Sequence, residues 1–292
     1  MTAYVDPRFR PTLWPGTVVP TPPLRPFKAV EVRSDWILWQ PAPSYGHELV
    51  ELPADFYLRE LASATADDLD AVGELFSSYG MLFDLDGADL NLSDYDEPER
   101  QEILEMTTRA APDEPRLIGV HRDLVEVHLQ TVQESVATWL ACQREGGLEE
   151  LVEPEVTDET LASFHAQNPD SPPWPESLDQ LREVLIDVRL SAFSSALESA
   201  LGRFSIGVRG LAERHPTVYS VAFLQLYNHL AEGSFVRRCG NANCGRNFVR
   251  QRGRAEYGQH RTSGVKYCSR ECARAQAQRE LRRRRRGENV PR

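Results

Sequence analysis

Four of the five cysteines lie within 34 residues near the end of this 292-residue chain. They form two pairs, because Cys239 and Cys244 are five positions apart and Cys268 and Cys272 are four positions apart. Thiolates are good ligands for zinc, which prefers four ligands at the corners of a tetrahedron. The two closely spaced pairs therefore predict that these residues hold one structural Zn²⁺ ion.

The spacers predict how the chain brings the pairs together. Residues 241–243 are of types that tolerate a tight turn, and a spacing of four places Cys268 and Cys272 on one face of a helical turn. A knuckle, an intervening hairpin and a helix with the second pair describe a treble-clef zinc finger. Four thiolate ligands leave no coordination position for a catalytic water, so we expect a structural ion on which folding of residues 239–280 depends. His260, between the pairs, is an alternative to one thiolate.

Basic residues concentrate in the same segment. Residues 237–292 hold 17 Lys and Arg against four acids, whereas residues 1–236 hold 16 bases against 40 acids, within a net charge of −11. A basic segment on an acidic body predicts a polyanionic partner. We expect phosphate contacts from Arg and Lys side chains of this segment: Arg246, Arg250, Arg252, Arg254, Arg261, Lys266, Arg270, Arg274, Arg279, Arg282 and Arg283.

The basic segment at residues 237–292 predicts duplex DNA as its partner. Arg270 and Arg274 are four apart on the predicted helix, so one face of that helix would enter a major groove. RNA stays open as an alternative, since Tyr257, Tyr267 and Phe248 are aromatic residues that can stack on unpaired bases. The arginine run at residues 282–286 repels itself, and we expect it to be a disordered electrostatic anchor.

The residues around the cysteines resemble those of the CGNR zinc-finger proteins, a family of bacterial transcription regulators. In that family an all-helical N-terminal domain, often called ABATE, precedes a C-terminal zinc finger. The resemblance implies DNA binding and transcription regulation for this chain. It is carried by these residues: Cys239, Cys244, Gly245, Arg246, Phe248, Tyr267, Cys268, Ser269 and Cys272.

Most of the chain before the cysteines shows helical periodicity. Apolar residues recur every three or four positions in residues 69–76, 121–142 and 176–193, and residues 217–230 are apolar nearly all round, which predicts the most buried helix. Two short β-type runs in residues 27–40 predict a small hairpin. The predicted fold class is mainly α: a helical N-terminal domain with a small N-terminal β element, followed by a small C-terminal treble-clef zinc finger.

Four segments follow from these patterns. We predict a proline-rich arm with a short β-hairpin at residues 1–45, a helical domain at 46–236, the zinc finger at 237–281 and a basic disordered tail at 282–292. The helical domain would form a homodimer or sense a small-molecule effector that the sequence does not identify. No apolar run reaches the roughly 18 residues that cross a bilayer, and we expect neither a signal peptide nor a membrane partner. The expected location is the cytoplasm, in association with the nucleoid.

Two other functions stay open. A nuclease would use Asn247, Glu256 and His260, but paired histidines and a His-Asn-His order are absent from the sequence, so we expect no enzyme. A protein-interaction module would use the basic segment to bind an acidic partner or the acidic body of the chain itself. The fifth cysteine, Cys142, ends a predicted amphipathic helix and is expected to be a small core residue.

Overall fold

The computed structural model describes residues 4–11, 18–40, 49–85, 90, 92, 95–109, 117–167, 174–204, 216–250 and 266–285. The chain divides into two compact units. The first comprises Met1–Thr12 and Val19–Tyr227, and the second comprises Leu13–Val18 and Asn228–Arg292. The domain boundaries inferred from the sequence stay predictions.

Helices dominate the described residues, which confirms the mainly helical fold class. The helices are α1 Phe56–Arg59, α2 Leu69–Tyr79, α3 Glu97–Thr108, α4 Arg122–Ala141, α5 Gly147–Val152, α6 Asp158–Gln167, α7 Leu178–Gly202, α8 Val218–Ala231 and α9 Arg270–Arg285. The strands are β1 Glu31–Arg33, β2 Trp36–Trp39, β3 Ile118–His121, β4 Phe235–Arg238 and β5 Asn247–Arg250.

A three-stranded antiparallel sheet in the first unit contains the predicted hairpin. β1 pairs with β2, and β2 pairs in turn with β3, so that Ile37 lies opposite Val120. The sequence did not reveal β3, because its pairing partner β2 lies about 80 residues earlier in the chain. Aromatic side chains cover one face of this sheet, where Trp39 stacks on Phe27 and packs on Phe76 with ring centroids 5.1 Å apart in each pair.

The longest helices of the first unit pack against one another through apolar faces. α4 contacts α7 and α5, and the buried side chains of Leu148, Val152, Leu181 and Ile186 form one cluster with Cys142. Burial raises the pKa of the Cys142 thiol to about 12. Cys142 is therefore a core residue, as the sequence predicts, and a thiol in that state is a poor nucleophile.

His128 of α4 is a buried polar side chain of the first unit. Its ring stacks on that of Phe83 at a centroid distance of 3.9 Å, and Tyr219 approaches it edge-on at 5.7 Å. Nδ1 donates a hydrogen bond to the Leu124 carbonyl oxygen at 2.8 Å. Burial lowers the pKa of His128 to about 4, so the imidazole is neutral at physiological pH.

α8 is buried along nearly its whole length, which confirms the prediction that residues 217–230 form the most buried helix. The boundary between the two units falls inside this helix, between Tyr227 and Asn228. The last turn of α8 thus belongs to the second unit and leads through Gly233 into β4. Among the described residues, none of the helices has the length and apolar character needed to cross a membrane.

One part of the predicted tail is wrong. α9 continues through Arg285, so residues 282–285 are helical and not disordered. Arginine has a high helix propensity, and positive charge is favourable at the C-terminal end of a helix, where the helix dipole is negative. Residues 286–292 lie outside the described residues.

Candidate metal centre

The first cysteine pair sits in the turn between β4 and β5. These strands pair antiparallel with Arg238 opposite Asn247, and the backbone N–H of Cys239 donates to the Arg246 carbonyl oxygen at 2.8 Å, which extends the ladder by one residue. The turn then closes through the Cys244 N–H, which donates to the Asn241 carbonyl oxygen at 2.8 Å. The chain therefore forms the knuckle that the spacer residues predict.

Gly245 completes this knuckle because its backbone takes a conformation that L side chains rarely adopt. Its φ is +58°, and its N–H donates to the Asn241 carbonyl oxygen at 3.2 Å. A side chain at this position would be strained in the left-handed region. The glycine lets the chain reverse immediately after Cys244 and enter β5.

The second pair lies at the start of α9. Cys268 precedes the helix, and Cys272 lies in its first turn. Ser269 holds this end of the helix, because its Oγ accepts a hydrogen bond from the Cys272 N–H at 3.2 Å. Such a cap satisfies a backbone donor that has no partner within the helix. The cap and the spacing of four together orient both thiols toward the same side.

The two pairs meet in space. The four Sγ atoms of Cys239, Cys244, Cys268 and Cys272 all lie within 4.8 Å of one another. The Cys244–Cys268 sulfur distance is 3.7 Å and the Cys268–Cys272 distance is 3.5 Å. A tetrahedral ion with metal–sulfur bonds of about 2.3 Å has sulfur–sulfur edges of about 3.8 Å. All four cysteines are free, and these separations far exceed a disulfide bond of about 2.05 Å.

Neighbouring groups shift the pKa values of the Cys272 and Cys268 thiols in opposite directions. Hydrogen bonds from the Cys268 thiol and the Asn241 amide lower the pKa of Cys272 to about 7. Burial and hydrogen bonding raise the pKa of Cys268. The backbone N–H of Cys268 donates to the Cys239 Sγ at 3.5 Å. Donors directed at sulfur favour the thiolate form that metal ions bind.

The arrangement fits a single metal ion with four sulfur ligands. The type, the number and the separation of the sulfur atoms all match a structural site in which protein ligands occupy every coordination position. Sulfur is a soft ligand, which suits zinc. Cys239 is buried and the other three cysteines are half-buried, so the ion would be shielded from solvent. The sequence prediction that these four residues come together is therefore confirmed.

Three side chains tie α9 to the knuckle, a role that the sequence did not predict for them. Asn241 Oδ1 accepts hydrogen bonds from the Asn243 N–H at 3.1 Å and from Arg279 Nη2. Gln276 Oε1 accepts from the Ala242 N–H at 3.3 Å. Gln276 and Arg279 follow Cys272 at steps of four and three, so helical spacing is the signal that could have found them.

The predicted phosphate-binding residues divide into three groups. Arg279 turns toward the knuckle and not toward solvent. The side chain of Arg250, in β5, and all of Arg252, Arg254 and Arg261 lie outside the described residues, as do Glu256 and His260. Exposed side chains belong to Arg246, Lys266, Arg270, Arg274, Arg282 and Arg283.

α9 has two different faces. At 3.6 residues per turn, Cys272, Gln276 and Arg279 share the face that meets the knuckle. The opposite face is exposed over its whole length. It consists of residues at helical spacing, namely Arg270, Arg274, Leu281 and Arg285.

Comparison with known proteins gives no relative for this chain. No protein-family profile, curated protein or solved structure matches it. Its resemblance to the CGNR zinc-finger proteins is therefore carried by the residues around the four cysteines alone.

Proposed function

We propose that this protein is a zinc-dependent DNA-binding protein and acts as a transcription regulator. One structural Zn²⁺ ion, held by Cys239, Cys244, Cys268 and Cys272, would hold α9 against the β4–β5 hairpin. α9 would then present its exposed arginines to duplex DNA. The first unit would provide dimerisation or the sensing of an effector.

The cluster of four sulfurs is the observation that carries the proposal. Thiolate donors select zinc over magnesium or calcium, and a four-sulfur tetrahedral set is typical of structural zinc. The bound ion would cross-link the knuckle and the helix, and it would leave no open position for a substrate or a catalytic water. This chemistry supports a binding function and not an enzymatic one.

The charge of the described second unit supports a polyanionic partner. Exposed cationic side chains on β4, the knuckle and α9 include Arg237, Arg246, Arg270 and Arg274, and the acids on α9 are Glu271 and Glu280. Lys and Arg side chains bind nucleic-acid phosphates and release condensed counterions, which makes the affinity salt-dependent. α9 is about 24 Å long at 1.5 Å per residue, which is enough to follow a major groove.

Metal analysis combined with DNA binding tests the proposal. Purified full-length protein should contain one zinc per chain by elemental mass spectrometry, and a Cys239→Ser, Cys272→Ser double variant should contain none. The wild type should retard a labelled duplex at low salt, and the double variant should not. RNA of the same length serves as competitor. If the protein binds RNA more tightly than duplex DNA, RNA is the partner and duplex DNA is not.

An acidic protein partner is the second candidate, because Leu281 is 51% exposed on the same face of α9 as the arginines. A partner with carboxylates and an apolar side chain would match that face. Binding to an acidic protein that persists in the presence of duplex competitor, without binding to DNA itself, would favour this candidate.

Incubation of a supercoiled plasmid with magnesium, with His260→Ala as the comparison, tests nuclease activity.

A further inference from the structure

The side chain of Arg238, at the end of β4, is anchored beside the knuckle. Its Nε donates a hydrogen bond to the Gly245 carbonyl oxygen at 3.1 Å. A Cβ atom built on Gly245 would lie 3.4 Å from Arg238 Nη2 and 3.6 Å from Arg238 Nε, so the guanidinium lies directly against the backbone of this glycine. The side chain of Arg238 is therefore restrained although the residue is exposed.

The hydrogen bond to Gly245 uses only one nitrogen of the guanidinium. Among the described residues, neither Nη1 nor Nη2 of Arg238 has a hydrogen-bond partner, and no carboxylate pairs with this arginine. Arginines of the first unit differ in this respect, because Arg100, Arg182 and Arg189 each form an ion pair with a glutamate. The two terminal nitrogens of Arg238 thus offer N–H donors with the fork geometry that suits an oxyanion.

Asn247 lies next to this fork on the neighbouring strand. Arg238 and Asn247 are directly opposite in the pairing of β4 with β5, and the side chains of such a pair lie on one face with Cβ atoms about 5 Å apart. Asn247 is exposed, and its side chain makes no hydrogen bond to another residue of the described part of the chain. Its amide offers N–H donors of a kind that binds phosphate oxygens in protein–DNA complexes.

The two side chains together suit a phosphodiester group. We propose that Arg238 and Asn247 form a phosphate-binding site on the β4–β5 hairpin and contact a backbone phosphate of duplex DNA. Contacts of this type fix the position of a protein on the duplex and carry no sequence information directly. Arg238 is thereby added to the cations that charge and spacing predicted as phosphate contacts. This inference rests on the proposed DNA binding.

The anchor distinguishes Arg238 from an arginine whose side chain is free to move. A long side chain loses conformational freedom when it binds, and this loss weakens binding by roughly 2- to 10-fold. Arg238 has already lost part of this freedom through its hydrogen bond to Gly245. Its contribution to the affinity for DNA should therefore exceed that of an arginine without such a contact.

Arg237 is a matched control from the same strand. It is exposed like Arg238, and no hydrogen bond or ion pair links its side chain to another described residue. Successive side chains of a strand point to opposite faces, so Arg237 lies on the other face of the hairpin, where it is opposite Phe248. Arg237→Gln removes the same formal charge as Arg238→Gln but no group of the proposed site.

The experiment measures the affinity of the full-length protein for a labelled duplex of mixed sequence at several salt concentrations. Arg238→Gln should lower the affinity at low salt by about tenfold and reduce the slope of log K against log salt by about 0.9. Asn247→Ala should lower the affinity by about threefold and keep the slope, because a neutral donor releases no counterion. Arg237→Gln should change the affinity by less than about threefold and keep the slope. Arg238→Lys keeps the charge but loses the planar fork, so it should keep the slope and still lower the affinity.

The outcomes separate this site from the proposed function. Wild-type affinity in Arg238→Gln, or equal losses in Arg238→Gln and Arg237→Gln, would overturn the site while DNA binding stands. Zinc content is measured on the same samples, because the hydrogen bond to Gly245 could also support the knuckle. If Arg238→Gln loses zinc, Asn247→Ala decides the question, since it keeps the contact with Gly245, and wild-type affinity in that variant would overturn the site. A wild-type protein that binds no duplex would overturn both proposals.

Discussion

Removal of two arginines from the exposed face of α9 should reduce the salt dependence of DNA binding by a defined amount. Arg270 and Arg274 are both exposed and lie one turn apart, about 6 Å along the helix axis. Each phosphate contact adds about 0.9 to the slope of log K against log salt on duplex DNA. An Arg270→Gln, Arg274→Gln variant should therefore have a slope smaller by about 1.8.

The slope converts into a measurable difference in affinity. When salt rises from 50 to 200 mM, the affinity of both proteins for DNA falls. With a slope smaller by about 1.8, the factor by which the variant's affinity falls should be roughly tenfold smaller than the factor for the wild type. Fluorescence anisotropy with a short labelled duplex of mixed sequence measures K at four or five salt concentrations. Zinc content is measured on the same samples, so that any loss of the metal is detected.

A matched variant controls for net charge. Arg25 and Arg59 are exposed residues of the first unit, and Arg25→Gln with Arg59→Gln removes the same formal charge. This control should keep the wild-type slope. A wild-type slope in the α9 variant, or the same reduction in both variants, would refute the assignment of the exposed face of α9 as the DNA contact.

Three further predictions concern folding. Chelation of the metal should make the backbone amides of residues 235–250 and 266–281 exchange rapidly with solvent, while those of α4 stay protected, as measured by hydrogen exchange and mass spectrometry. Protection that survives chelation would show that no metal holds this region. The pKa of His128 falls from 6.5 to about 4 on folding. As the pH falls from 6.5 to 4, the unfolded chain therefore binds a proton at His128 that the folded chain does not bind. The free energy of unfolding should drop by on the order of 3 kcal/mol over this range. Urea unfolding followed by tryptophan fluorescence should show that His128→Leu has a flatter stability profile between pH 6.5 and 4 than the wild type, and identical profiles would contradict this. Leu181→Ala should lower the free energy of unfolding by about 2–5 kcal/mol, because Leu181 is fully buried. Leu178→Ala, three residues earlier and 37% exposed, should cost far less, and equal losses would contradict the packing of α7.

Local patterns were enough to predict the cysteine cluster and five of the helices, namely α2, α4, α7, α8 and α9. The apolar residues of α4 and α8 recur over several helical turns, so the position of each helix can be predicted without knowledge of its neighbours. The four cysteines could be grouped because each pair is separated by only a few residues and a helix places its two thiols on one side. These features depend on interactions within a short stretch of chain.

Contacts between distant residues decided the rest. β3 is recognisable only through its pairing with β2, about 80 residues earlier in the chain. Charge alone made Arg279 a phosphate contact, but its guanidinium meets Asn241, 38 residues away in sequence. Which face of α9 meets the knuckle is determined when Cys272 joins the other cysteines. The sequence thus determined that a cationic helix with a cysteine pair at its start follows an acidic helical body, and the tertiary structure decided that Arg279 contacts the knuckle while Arg270 and Arg274 are exposed.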